Sequence, residues 1–292
     1  MSGQSTNVLA AFQAVIKVHP KTEQAHLANM WLADDAFNSG TNHLGAEKIY
    51  KSLSSQTNAP MALRRRATLM AGRSAMARQG FGEARKEFTR LINDNNVPVR
   101  MKSDAHFALG DLTMLEIGVT LPNAIEKLTD ATNSFYNVVQ ANPTNSVAAR
   151  AWGRIGDCCL LASAKEPGYR EHARLAYEKA IENTGPVPVA VKSQSRLGLA
   201  KVLERQARSG AEREKKLSEA VSYLLEVVHG KHLQQDEVSD AYWRGRSGIM
   251  AMDLLSQLGK PKEALELCYL MIKDFPAMKM GLEDRKQNFL DQ

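Results

Sequence analysis

Apolar residues recur along this chain at intervals of three and four, in blocks of roughly 13 to 20 positions separated by proline, glycine or short polar clusters. No block shows sustained alternation, and no β-branched cluster is bounded by Asn-Gly or Asp-Gly turns, so the pattern predicts helices and no sheet. The predicted helices lie near 5–18, 22–38, 42–56, 60–79, 81–94, 98–117, 122–141, 144–164, 168–184, 187–208, 212–230, 234–258, 260–274 and 278–290. The most irregular stretches are Ile117 to Pro122 and Gln206 to Arg213.

The blocks repeat. An alanine followed four residues later by a bulky or apolar side chain occurs as Ala46/Tyr50, Ala84/Phe88, Ala131/Phe135, Ala173/Tyr177, Ala220/Leu224 and Ala264/Cys268. The alanines are 38, 47, 42, 47 and 44 residues apart. The i, i+4 offset places each pair on one helix face, where the small residue admits a neighbouring helix and the larger one fills the space beside it. Breakers follow: Pro143 and Pro276 stand eight residues after the large position, Gly185-Pro186 lies at the corresponding place, and Pro60 and Pro98 fall two residues later. Proline ends one helix and fits the first turn of the next. Upstream of the alanines, Gly72, Gly110, Gly156 and Gly198 sit inside apolar-periodic helices. A glycine there costs about 1 kcal/mol relative to alanine, so its recurrence predicts close helix–helix crossings.

These residues resemble the tetratricopeptide repeat family, whose pattern runs W-x2-L-G-x2-Y, then A-x3-F, then P. The best match is Trp152-Gly-Arg-Ile155-Gly156-Asp-Cys-Cys159, then Ala173-Arg-Leu-Ala-Tyr177, then Gly185-Pro186, with Ile for Leu and Cys159 for Tyr. Arg65 to Pro98 keeps the family's repeat length, whereas Gly110 precedes Ala131 by 21 residues and Gly198 precedes Ala220 by 22, so those pairs are lengthened. The resemblance implies an all-α, right-handed α-α superhelix of about six to seven helix pairs, forming a single domain over residues 1–292. Phe12 followed by Pro20 mirrors Phe135 followed by Pro143. By that register the chain opens on the second helix of a pair, the expectation for a segment of a longer chain.

Composition changes this picture little. The net charge of +6 is spread among acidic neighbours and does not by itself indicate nucleic acid. No stretch approaches 18 consecutive apolar residues, so no membrane span is expected. The N-terminal Met-Ser-Gly-Gln-Ser-Thr lacks the basic start and apolar run of a signal peptide. Cys158 and Cys159, adjacent on one helix, point about 100° apart and are poorly placed to pair. They read as packing residues, since no histidine or cation stands at a fixed spacing to activate a thiol. His229 and His232, with Asp236 nearby, fall short of the convergent ligands a metal needs, and a surface loop explains them better. Trp31, Trp152 and Trp243, each in the first helix of a pair, read as core packing or as an aromatic anchor. No phosphate-binding glycine loop, nucleophile elbow or metalloprotease motif is present, and Asp34-Asp35 and Asp236-Glu237 diverge on a helix. No cofactor, no metal and no enzymatic activity are expected.

In such arrays the first helix of each pair usually lines a concave groove. The position six residues before each internal glycine, or 18 before the repeat alanine, holds Arg66, Asp104, Arg150, Lys192 and Arg246; one turn on stand Met70, Ala108, Arg154, Arg196 and Met250. Arg66, Arg150, Arg154, Lys192, Arg196 and Arg246 therefore form a candidate cationic ladder for an acidic peptide or a C-terminal carboxylate. The competing reading is a solvated face with local ion pairs. The expected function is a protein–protein scaffold binding a partner peptide or helix. The alternatives are a nucleic-acid-binding repeat module, disfavoured because stacking aromatics do not alternate with the arginines, and the regulatory arm of an enzyme whose catalytic domain lies elsewhere. The repeat style is similar to that of bacterial envelope proteins, which implies a periplasmic setting if a signal peptide precedes this segment and a cytoplasmic one otherwise.

Overall fold

A computed structural model describes residues 2–117 and 124–290. Among them every regular element is helical: α1 (Ser2–Val18), α2 (Glu23–Asn38), α3 (His43–Ser55), α4 (Met61–Ala77), α5 (Phe81–Asn93) and α6 (Val99–Ile117). After these come α7 (Ala124–Ala141), α8 (Ser146–Ala162), α9 (Tyr169–Ile181), α10 (Val189–Gln206), α11 (Gly210–Val228), α12 (Ala241–Gln257) and α13 (Pro261–Asp274), then a 3-10 turn (Pro276–Met278) and α14 (Lys279–Leu290). The protein is all-α. The irregular stretch expected from Ile117 to Pro122 lies, beyond Ile117, outside the described residues.

The helix ends follow local chemistry. Side chains of Thr22, Asn42, Asn145 and Asp240 accept hydrogen bonds from backbone N–H groups in the first turns of α2, α3, α8 and α12, satisfying donors that have no partner within the helix. Pro60 and Pro188 stand immediately before α4 and α10. At the α12–α13 turn Gly259 takes φ +69° and the Lys260 N–H returns to the Leu255 carbonyl at 2.9 Å, a turn that suits a residue without a Cβ. The α4–α5 turn has the same form, with the Gly80 N–H on the Ala75 carbonyl at 2.8 Å, but there Gln79 occupies the left-handed position at φ +66°.

One expectation fails. Helix α12 begins at Ala241, not near 234, because Asp240 caps it through the Trp243 N–H at 3.1 Å. The residues before it form an irregular connection tied to α10. The Ser193 hydroxyl and a His232 ring nitrogen are 2.8 Å apart, and the Lys192 ammonium donates to both carboxylate oxygens of Glu237 at 2.7 and 2.8 Å.

Backbone contacts divide the chain into two compact units, residues 1–123 and 124–292. Within each unit a helix packs on its neighbour in sequence, and the even-numbered helices also touch the next even-numbered one: α4 with α6, α8 with α10, α10 with α12. This is the contact pattern of stacked helix pairs. All six repeat alanines, and the large residue four positions after each, are fully buried on odd-numbered helices. The internal glycines supply the other half of the joint. A Cβ at Gly72 would collide with the Phe88 ring, and one at Gly156 would stand 2.5 Å from the Tyr177 ring. Gly198 of α10 faces the same Tyr177 from the other side, so this ring lies between two helices that can approach only because both lack a side chain there. In unit 2, α14 completes the end of the stack by burying Leu282 and Phe289.

Candidate functional site

The structure surrounds the predicted cations with local partners. In unit 1, Arg66 pairs with Asp34 of α2 at 2.7 Å. In unit 2, Arg154 pairs with Asp157 one turn on at 3.2 Å, Lys192 with Glu237 at 2.7 Å, and Arg196 with Glu226 of α11 at 2.9 Å. Arg246 bonds the Tyr242 hydroxyl at 3.0 Å and lies over its ring, while Arg150 is exposed on α8. Lys192 and Arg196 are thus engaged as clamps, one holding the 229–240 connection and the other joining α10 to α11. Such partly exposed pairs individually add little to stability.

Asp157 is a node the sequence reading passed over. It accepts from the Tyr177 hydroxyl at 2.8 Å and from the Gln194 amide at 2.7 Å, linking α8 to α9 and α10. Burial raises its carboxyl above the ordinary range, opposed by Arg154 and the Tyr177 hydroxyl. Asp34 plays the same part in unit 1, accepting from the Tyr50 hydroxyl at 2.5 Å and from Arg66. Sequence gives no consistent signal for these nodes: Ala33-Asp34 and Gly156-Asp157 precede second helices that carry Tyr50 and Tyr177, but Gly110-Asp111 precedes one that carries Phe135.

Three cavities recur at one structural position, between two successive odd-numbered helices and above the even-numbered helix that separates them. Their chemistry differs. The one between α7 and α9, floored by α8, is the most apolar. It encloses about 370 Å³, with Trp152, Ile155 and Cys159 as floor and Thr132, Tyr136, Tyr169, Leu175 and Lys179 among its walls. Those floor residues stand at i, i+3 and i+7 of α8, and Tyr169, Leu175–Ala176 and Lys179 share one face of α9. The Tyr136 ring meets the Trp152 ring edge-on at 6.0 Å, and the Lys179 ammonium sits 4.5 Å above Trp152. Tyr136 is 46% exposed and Leu175 41%, so both lips offer uncovered apolar surface. A smaller cavity of about 100 Å³ continues the trough through shared residues Thr132, Cys159 and Tyr169, reaching Ile125, Leu128 and Cys158.

The thiols are wall material. Burial pushes Cys158 up to about 12 and Cys159 to about 11, which keeps both protonated at neutral pH and poor as nucleophiles. All three cysteines are free and buried. Of the tryptophans, Trp31 stacks at a tilt on Phe12 at 4.8 Å, Trp243 packs against the unit 2 core, and Trp152 floors the apolar trough. Sequence periodicity could not single out this trough, because its lining comes from faces of three helices at unrelated spacings.

The cavity between α11 and α13 mixes Leu225, Leu255, Leu267 and Leu270 with Glu263, Glu266 and His229. His232 is spent on Ser193 and on the Glu226 carbonyl. Among the described residues no group of three potential metal ligands converges, and no helix is long and apolar enough to cross a membrane. No protein-family profile matches this chain, and no curated protein matches it in sequence.

Proposed function

We propose that this chain is a protein-binding scaffold, and that the trough between α7 and α9 receives an amphipathic segment of a partner protein. One observation carries the reading: an aromatic floor at Trp152 lies open between the uncovered lips Tyr136 and Leu175. Covering such surface yields about 25 cal/mol per Å². Walls already fixed by the packing of three helices lose little conformational freedom on binding. The segment that fits presents an aromatic or aliphatic anchor to Trp152 and a carboxylate toward Lys179, in keeping with the acidic partner expected from the sequence. Trp and Tyr are the residue types that most often dominate such interfaces. The lengthened repeats are similar in style to those of bacterial envelope proteins, so a partner from an envelope complex is the first to try.

The test is selection of a displayed peptide library on the full chain. Enriched peptides should share an apolar anchor with an acidic residue three or four positions away. Leu175→Glu, a change on an exposed lip, should abolish their binding, while Arg150→Glu should leave it intact. Binding indifferent to Leu175→Glu but lost with Arg150→Glu and Lys192→Glu would move the site to the cationic ladder. Binding of RNA that falls steeply with salt, in place of any peptide, would favour the nucleic-acid reading.

A further inference from the structure

The third cavity of the series lies in unit 1, between α3 and α5 above α4, and its chemistry is opposite to that of the apolar trough. It encloses about 370 Å³, and three arginines line it: Arg64 and Arg65 from the first turns of α4, and Arg90 from α5. Ser54, Ser55 and Thr68 add hydroxyls, Met61 and Leu91 add apolar wall, and Asp94 is the one carboxylate in the lining.

The guanidinium groups are held in place but incompletely used. Arg64 donates Nε to the Ser54 carbonyl at 3.3 Å. Arg90 donates Nη2 to the Thr68 hydroxyl at 2.7 Å and stands 3.4 Å from Glu87. That hydroxyl in turn donates to the Arg64 carbonyl at 3.0 Å, so the three residues share one chain of contacts. Arg65 reaches Asp94 only at 3.6 Å, beyond hydrogen-bond length. Its Nε is buried with no hydrogen-bond partner, although its side chain is only 17% exposed.

We propose that this cavity binds the dianion of a phosphate monoester. Arginine forks match phosphate oxygens in pairs. Three of them from two helices suit a group with three terminal oxygens better than a carboxylate with two. Met61 and Leu91 offer apolar surface to the carbon side of an ester. The site is in unit 1 and does not depend on the peptide trough of unit 2. The phosphate can come from a free phosphorylated metabolite or from a phosphorylated side chain of a partner, and the probes below separate the two.

Isothermal titration of the full chain with inorganic phosphate, O-phosphoserine and a phosphoserine peptide, at matched ionic strength in chloride, tests the assignment. Saturable binding is expected, strengthening from pH 5 to 7.5 as the second proton leaves the phosphate near pH 6. Dimethyl phosphate, which cannot become a dianion, should bind at least about tenfold more weakly. Arg90→Gln, at a half-exposed side chain, should weaken binding on the order of tenfold, the loss of one charge-assisted contact. A free metabolite as ligand predicts that O-phosphoserine binds as tightly as the peptide. A phosphorylated partner predicts that the peptide binds more tightly than either small probe. No saturable binding of any monoester, equal binding of dimethyl phosphate, or unchanged affinity in folded Arg90→Gln and Arg65→Gln would overturn the proposal. Should Arg90→Gln fail to fold, the diester comparison and the pH profile decide it on the unaltered protein.

Discussion

Tyr177 donates its hydroxyl to Asp157 at 2.8 Å while its ring fills the space left by the missing side chains of Gly156 and Gly198. One residue thus joins three helices by two means: shape at the ring and a charge-assisted hydrogen bond at the tip. The ring is fully buried, and little around it can yield.

Gly198→Ala should therefore destabilise unit 2 by about 1–3 kcal/mol, the range for added bulk that forces a packed core apart. Gly82→Ala is the control. A Cβ there meets nothing within 4 Å, so the change should be neutral or stabilise by a few tenths of a kcal/mol. Urea unfolding followed by circular dichroism measures both. Equal effects would show that the close crossing carries no energy.

Tyr177→Phe keeps the ring and removes the hydroxyl, leaving Asp157 with Gln194 and Arg154 as donors. A loss of about 1.5 kcal/mol is expected, the lower part of the range for a hydrogen bond to a charged group. The same experiment on Tyr50→Phe tests whether the Asp34 node of unit 1 behaves alike.

Two carboxylates at helix contacts, Glu47 and Asp157, should respond to acid in opposite directions. Burial pushes Glu47 up, but hydrogen bonds from Arg78 and Lys51 outweigh it and hold the group below its ordinary value of 4.5. Its contribution is therefore complete above pH 4.5 and is lost as pH falls through the lower folded-state value. Asp157 lies above its ordinary value of 3.8 because burial disfavours its charge. Its ionised form opposes folding, and that opposition is relieved as pH falls through the raised value toward 3.8. The stability advantage of the native chain over Glu47→Gln should shrink on acidification. Relative to Asp157→Asn, the native chain should gain. Denaturant titrations of the three proteins between pH 3 and 7 give both trends, and parallel curves would contradict the assignment.

Gln79 holds φ +66° in a turn where the corresponding residue of the α12–α13 turn is Gly259. A side chain in the left-handed region costs about 1–2 kcal/mol, partly offset by the greater flexibility of glycine in the unfolded chain. Gln79→Gly should raise stability by about 0.5–1 kcal/mol, seen as a higher thermal midpoint. A lower midpoint would mean that the Gln79 side chain contributes more than its backbone costs.

Much of this protein is decided locally. The alanine, the large residue four positions on and the internal glycine each act within one helix turn or at one crossing. Their spacing therefore determines the helices, the all-α class and the buried alanine and large positions. Capping and breaking are equally local, which is why most helix ends fall within a few residues of expectation. The exception is α12. Its late start depends on Asp240 and on Lys192 and Ser193, the last two some forty residues away in sequence and invisible to periodicity.

The sites belong to the other category. A row of cations at matching positions says that arginine and lysine share a face, but Asp34, Glu226 and Glu237 reach them from other elements, and only folding brings those partners near. The apolar trough and the arginine-lined cavity each need three helices, whose facing side chains are set by the rotation and separation of neighbours and by no regular interval. Sequence determines what each helix presents because that depends on a single period. Tertiary structure alone decides which surfaces meet, because that depends on how several such helices are turned toward one another.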